Sequence, residues 1–301
     1  MGVGKRMNEF ERFHPIVNFA YFFAVLAFSC CFMHPAALLL SLVSGFIYSI
    51  MLNGKKAVKF NFLYMLPLVL ITALINPAFN HEGMTILCYL PSGNPLTLES
   101  IAYGIAAAVM IWSVICHFSC FNKIMTSDKF VYLFGKIIPG LSLILSMVLR
   151  FVPKFKSQIK VVSASQAFVG KDISEGNIIK RAKGGIKILS VMITWSLENA
   201  IQTADSMKSR GYGLPKRTAY SNYRLCKRDV AVFLYIVLLS LYIIVGAFLK
   251  TLYFKYFPFI GKAQISIYGI SVFLAYFLLF ACPIMIELWE MVKWKKLKSK
   301  I

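Results

Sequence analysis

The sequence is poor in acid: twelve Asp and Glu stand against 33 Lys and Arg in 301 residues, for a formal net charge of +21. The acids are dispersed and none forms a cluster with a nucleophile and a base, which argues against an integral membrane enzyme. Acids placed deep in a span would mark an ion path. Glu99, Glu287 and Glu290 instead fall near the ends of apolar runs and are expected to be solvated. A stand-alone secondary transporter or channel, the alternative reading, would need polar groups at mid-membrane or broken helices in matching halves. Pro67 and Pro283 interrupt the third and sixth runs, but no such pattern is found. The four histidines are scattered. Cys116, His117 and Cys120 adjoin but lack a fourth ligand and a second pair, so they are expected to pack and not to hold a metal. No G-x-x-x-x-G-K-[ST] phosphate loop is present: Lys183-Gly184-Gly185-Ile186-Lys187 has the wrong spacing, so ATP hydrolysis by this chain is not expected. Aromatic and basic residues do not interleave as on a base-stacking surface, so the charge suits membrane lipid and not nucleic acid.

Hydrophobic residues, in contrast, make up 58% of the chain, with a mean hydropathy of +0.69. Six apolar runs, at about 16–33, 36–52, 62–79, 98–118, 229–249 and 265–288, are each close to the ~20 residues that cross a bilayer. In lipid each span must satisfy its own backbone hydrogen bonds, so these runs predict helices and an all-α, polytopic membrane protein. The first run follows Lys5, Arg6 and Arg12, but no small-residue cleavage site follows it, so it is expected to be a retained span.

Basic residues fall unevenly between the runs. Three precede the first, three lie in 53–61, nineteen in 119–228 and five after 288, whereas 80–97 has none and 250–264 has three. Six spans with both termini in the cytoplasm put all but those last three inside, as the positive-inside rule requires. The loop 80–97, with Pro91, Pro95 and two glycines, is expected outside and ordered.

Residues 119–228 are basic yet helical in pattern. The apolar stretch 131–152 would carry the basic block outside if it crossed, and Gly135, Pro139 and Gly140 break it, so a helix along or partly in the membrane is expected. Start signals near Pro153 and a stop at Gly170 predict one long helix. A polar connector, 171–185, leads to a second helix over 187–211. In that helix Ile193, Leu197, Ala200, Ala204 and Met207 form an apolar stripe, with Glu198, Gln202 and Asp205 on another side. The expected organisation is therefore a four-span membrane part (1–130), a cytoplasmic pair of long helices with its interfacial lead-in (131–228), and two further spans with a basic tail (229–301).

The second helix ends in Ser209-Arg210-Gly211. Gly211 suits the left-handed residue that closes a helix, and Pro215 bars continuation. Arg210 falls where the helix dipole favours a cation, a role that structure alone could explain. On a cytoplasmic helix pair, however, a guanidinium at a tip can also grip a partner's carboxylate in a bidentate contact.

These residues resemble a known family. Ser209-Arg210-Gly211, with Trp195-Ser196-Leu197-Glu198 before it and Tyr212-Gly213 and Lys216-Arg217-Thr218 after, is similar to the second Ala-Arg-Gly-type motif of the transmembrane T component of energy-coupling factor (ECF) transporters, the CbiQ-type family. LRFVPKFKSQI (149–159) and LINPAFNHEG (74–83) also resemble that family, and the likeness covers most of 14–230. The first motif falls at Phe168-Val169-Gly170; Val169 stands where arginine is usual, and Lys171 follows without the planar fork. The resemblance implies a multi-pass protein of a prokaryotic cell membrane whose two coupling helices end in grooves of two ABC ATPase subunits. Residues 168–171 and 209–211 would make those contacts, supported by Glu198 and Asp205. Motion driven by ATP-Mg on the ATPases would pass to a membrane-embedded substrate-binding S component for vitamin or transition-metal uptake. This chain would bind no cofactor of its own.

Overall fold

The computed structural model describes residues 8–89, 95–135, 138–169, 177–212, 223–261 and 266–298. The described residues are helical except for one small hairpin and short connections. In order they form α1 (Pro15–Cys31), α2 (Pro35–Asn53), α3 (Lys55–Phe60), a π turn (Asn61–Met65), α4 (Leu66–Phe79), β1 (Ile86–Tyr89), β2 (Pro95–Thr97), α5 (Leu98–Ile124), α6 (Ser127–Gly135), α7 (Pro139–Phe168), α8 (Ile178–Ser209), α9 (Lys227–Phe248) and α10 (Ile267–Lys298).

Five helices are long and apolar enough to cross a membrane: α2, the continuous Lys55–Phe79, α5, α9 and α10. The shorter apolar α1, 17 residues, accounts for the first of the six runs. The chain is a multi-pass, all-α membrane protein. Two of these helices begin on the same dipeptide. His14 and His34 each stand at the N-cap, with Nδ1 accepting from the N–H two residues on at 3.3 and 3.2 Å, and the following proline occupies the first turn. Proline there gives up only an N–H that would lack a helical partner.

The chain divides into two compact units, 1–126 with 223–301, and 127–222. The core of the first unit is aromatic: Phe10 packs edge-on against Tyr21 and Tyr48, and the Tyr21 hydroxyl donates to the Phe280 carbonyl at 3.1 Å, tying α1 to α10. Helices approach closely at glycine. A Cβ on Gly45 of α2 would lie 2.9 Å from His117 Nε2 of α5, and one on Gly104 would lie 2.8 Å from the Ala73 carbonyl of α4. Because lipid is as apolar as the helix surfaces, small residues and interhelical hydrogen bonds carry much of the association. Ser29, Ser41 and Ser113 link α1, α2 and α5 in one hydroxyl chain. Cys116, His117 and Cys120 pack in this interior, with His117 Nε2 against the Ser41 carbonyl at 3.1 Å.

Several expectations are refined or corrected. The loop after α4 is a β1–β2 antiparallel hairpin laid over the start of α5. Beneath it, in the first turn of α5, Glu99 is buried, not solvated: its carboxylate accepts from the Thr85 hydroxyl at 2.7 Å, at the positive end of that helix. Glu287 and Glu290 are half-buried, and Glu287 accepts from the Phe10 N–H at 3.5 Å. Pro153 does not start a helix. α7 runs unbroken from Pro139 through it, because the ring's fixed φ is itself helical and the proline costs one backbone bond in a 30-residue helix. α8 likewise begins at Ile178, capped by Asn177 Oδ1 at 2.8 Å, so the polar connector is shorter than its composition suggests. The break expected at Gly135 and Pro139 is present, between α6 and α7.

Candidate functional site

α7 and α8 meet near their middles. Phe155 packs edge-on against Trp195 with centroids 5.5 Å apart, and Lys154 Nζ lies 5.2 Å above the same indole while donating to Asn199 Oδ1 at 2.7 Å. One turn on, Ile159 faces Ile188 and Met192 across a groove of about 420 Å³, so α8 runs back along α7. The inward residues of α8 are Ile188, Met192, Trp195, Asn199, Thr203 and Met207, spaced three and four apart. The expected stripe lies beside this face: Ile193 (53% exposed) and Leu197 (62%) border the open side of the groove, Ala200 and Ala204 are exposed, and Met207 is half-buried. α8 carries apolar residues on more than one face, and periodicity does not say which one α7 covers.

From the crossing the helices run on in opposite senses. Phe168 is thirteen residues past Phe155 and Ser209 fourteen past Trp195, so each end reaches about 20 Å at ~1.5 Å per residue. The end of α8 is tightly built. Gly211 sits at φ +76, the Tyr212 N–H donates to the Met207 carbonyl and the Gly211 N–H to the Lys208 carbonyl, both at 3.0 Å. This pair of bonds is the Schellman closure, and it needs the left-handed residue that glycine supplies without strain. Ser209 donates its hydroxyl to the Asp205 carbonyl at 2.9 Å. The Arg210 N–H bonds to the Ser206 and Met207 carbonyls, both at 3.2 Å. The Arg210 backbone is therefore pinned while its side chain is exposed, and among the described residues it has no ion-pair partner within 4 Å.

The other end is apolar. The Val169 N–H donates to the Gln166 carbonyl at 3.2 Å, and Phe168 and Val169 stand 93% and 70% exposed. Gly170 and Lys171 lie outside the described residues. Glu198 and Asp205 are exposed on α8. Glu198 is twelve residues, roughly 18 Å, from Arg210 and does not reach it. Asp205 enters the tip through its carbonyl and not its carboxylate. The structure thus brings Asp205, Ser209, Arg210 and Gly211 together and holds Phe168-Val169 at the opposite end of the pair.

The model of the cobalt transport protein family, CbiQ, matches residues 9–220, which spans both ends. The chain belongs to the CbiQ family. α9 and α10 lie beyond the matched region. Among relatives of this CbiQ-family chain, the energy-coupling factor transporter transmembrane protein EcfT of Lactobacillus helveticus is 38% identical over 104 residues, 34% of this chain and 37% of the relative. EcfT of Lactococcus lactis is 33% identical over 105 residues, covering 35% and 40%. EcfT of Streptococcus equi aligns over 221 residues at 26% identity, covering 68% and 77%. The chain therefore matches well under half the length of the first two and about three quarters of the third. Sequence reasoning missed Lys154 and Asn199, which are paired across 45 residues and carry no local spacing signal.

Proposed function

We propose that this CbiQ-family chain is the transmembrane T component of an ECF-type importer, a non-catalytic subunit that passes ATP-driven motion from two cytoplasmic ATPase subunits to a membrane-embedded S component. The observation that carries this reading is the pair of helix ends: two exposed tips, on opposite ends of one crossed pair, each about 20 Å from the crossing. Arg210, held on a closed helix end with its guanidinium free of ion pairs among the described residues, suits a bidentate grip on a partner carboxylate. Phe168 and Val169 suit an apolar groove at the first tip. Two tips facing apart match two ATPase subunits, and displacement of one tip swings the pair about Trp195. The exposed Ile193, Leu197 and Ile201 then supply an apolar face for a membrane partner. The transported solute, vitamin or transition metal, would be selected by the S component. The test is co-purification in mild detergent. ATPase subunits come down with the wild-type chain and are lost with Arg210→Glu; solute uptake by the chain alone in liposomes, with no ATPase present, would sink the proposal.

A further inference from the structure

α9 ends in the same two-bond closure as α8: the Thr251 N–H donates to the Gly246 carbonyl at 3.2 Å and the Lys250 N–H to the Ala247 carbonyl at 2.9 Å. Here the left-handed position is held by Lys250, at φ +60, and not by glycine. A side chain in that conformation is disfavoured by roughly five- to thirtyfold in population relative to glycine, so this site keeps a lysine where glycine would fold better. The lysine side chain borders a cavity of about 490 Å³, lined also by His34, Thr251, Lys255, Ser266 and Tyr268. The Gly261 N–H donates to the Lys255 carbonyl at 2.8 Å, closing the loop that carries Lys255.

His34 is only 8% exposed. Its Nδ1 accepts from the Ala36 N–H, so Nε2 carries the proton, and no hydrogen-bond acceptor meets that N–H among the described residues. The ring is held between Phe254 and Phe273, with centroids 5.5 and 4.8 Å away, and cannot swing out freely. The lining therefore combines two lysines, one imidazole N–H and four hydroxyl side chains, with no carboxylate among its described residues. That inventory is rich in donors and carries a net positive charge.

Membrane orientation does not explain the two lysines. They belong to the three basic residues of 250–264, on the side that the positive-inside rule leaves poor in charge. We propose that the cavity bordered by His34, Lys250 and Lys255 binds a phosphate group. Lys250 and Lys255 supply the charge, and the His34 N–H fixes one oxygen. The phosphate belongs to an anionic lipid headgroup or to a free phosphate ion; Tyr253, Phe254 and Tyr268 around the cavity suit the headgroup depth of a bilayer. The proposal does not depend on the coupling role.

The test uses the full chain purified in neutral detergent. Native mass spectrometry measures retention of phosphatidylglycerol against phosphatidylcholine, and a thermal shift titration is run with inorganic phosphate. The variants are Lys250→Gly with Lys255→Gln, and Lys255→Gln alone. Lys250→Gly removes the charge while relaxing the backbone, so loss of binding cannot be blamed on misfolding; Lys255→Gln, at an exposed position, gives a second, milder reading. At near 1 kcal/mol per lysine near a charged lipid surface, the double variant is expected to lose about tenfold or more in affinity. Loss confined to phosphatidylglycerol identifies the lipid as the source, and loss of the inorganic phosphate response identifies the free ion. The proposal is overturned if neither probe binds the wild-type chain, or if the folded double variant binds both as well as wild type does.

Discussion

Lys154 Nζ donates to Asn199 Oδ1 at 2.7 Å from 45 residues away, and the Asn199 side-chain N–H in turn donates to the Trp195 carbonyl at 3.0 Å. The amide is oriented by its own helix and used by the other, so the crossing of α7 and α8 has one register. A slide of one helix along the other breaks the Lys154 bond and moves Phe155 off the Trp195 ring together.

Phe155 and Trp195 are therefore expected to be energetically coupled. A double-mutant cycle with Phe155→Leu and Trp195→Leu, read by denaturant unfolding of the purified chain, should give a coupling of about 0.5–1.5 kcal/mol. Lys154→Met should cost less, about 1 kcal/mol or under, since the group is exposed and screened. A cycle that closes to zero would mean the two helices do not share this contact.

Gly211→Ala places a Cβ in a left-handed residue at φ +76 and is expected to loosen the last turn of α8 by about 1 kcal/mol. Amide exchange at residues 211 and 212 should rise roughly fivefold, while amides near Ile188 and Met192 stay protected. Unchanged exchange at 211–212 would contradict the closure described here.

Val169→Arg is expected to strengthen attachment of the first tip. The position is 70% exposed at a helix C-terminus, so the change adds a guanidinium without disturbing the core. In the ATPase pull-down, the variant complex should survive about three- to tenfold longer dissociation, on the scale of one added charge-assisted contact. A weaker complex would show that the first partner groove requires an apolar tip.

Cys88 and Cys226 are both exposed, and the charge distribution predicts that they lie on opposite sides of the membrane. In single-cysteine variants, a membrane-impermeant maleimide should label Cys88 in intact cells and Cys226 only after permeabilisation. The reverse pattern would invert the topology and place the α7–α8 pair outside, away from any ATP.

Much of this was readable from residue order. The six apolar runs became helices because a span in lipid has no other partner for its amides. The Gly211 closure was legible because its bonds reach only three and five residues back. Glu99 was not legible: its partner Thr85 is fourteen residues away, on a hairpin whose pairing composition does not reveal. Pro153 misled because a start signal and a tolerated interior proline look alike, and only the unbroken course of α7 separates them.

Residue order by itself determined the membrane class, the positions of the spans and the chemistry at the end of α8, since each depends on hydropathy or on contacts within about one helical turn. The tertiary structure alone decided which face of α8 meets α7, that the two tips reach apart, and that His34 and Lys250 border one cavity. Those features join residues tens to hundreds of positions apart, and periodicity reports how side chains are spaced around a helix but not which neighbour covers them.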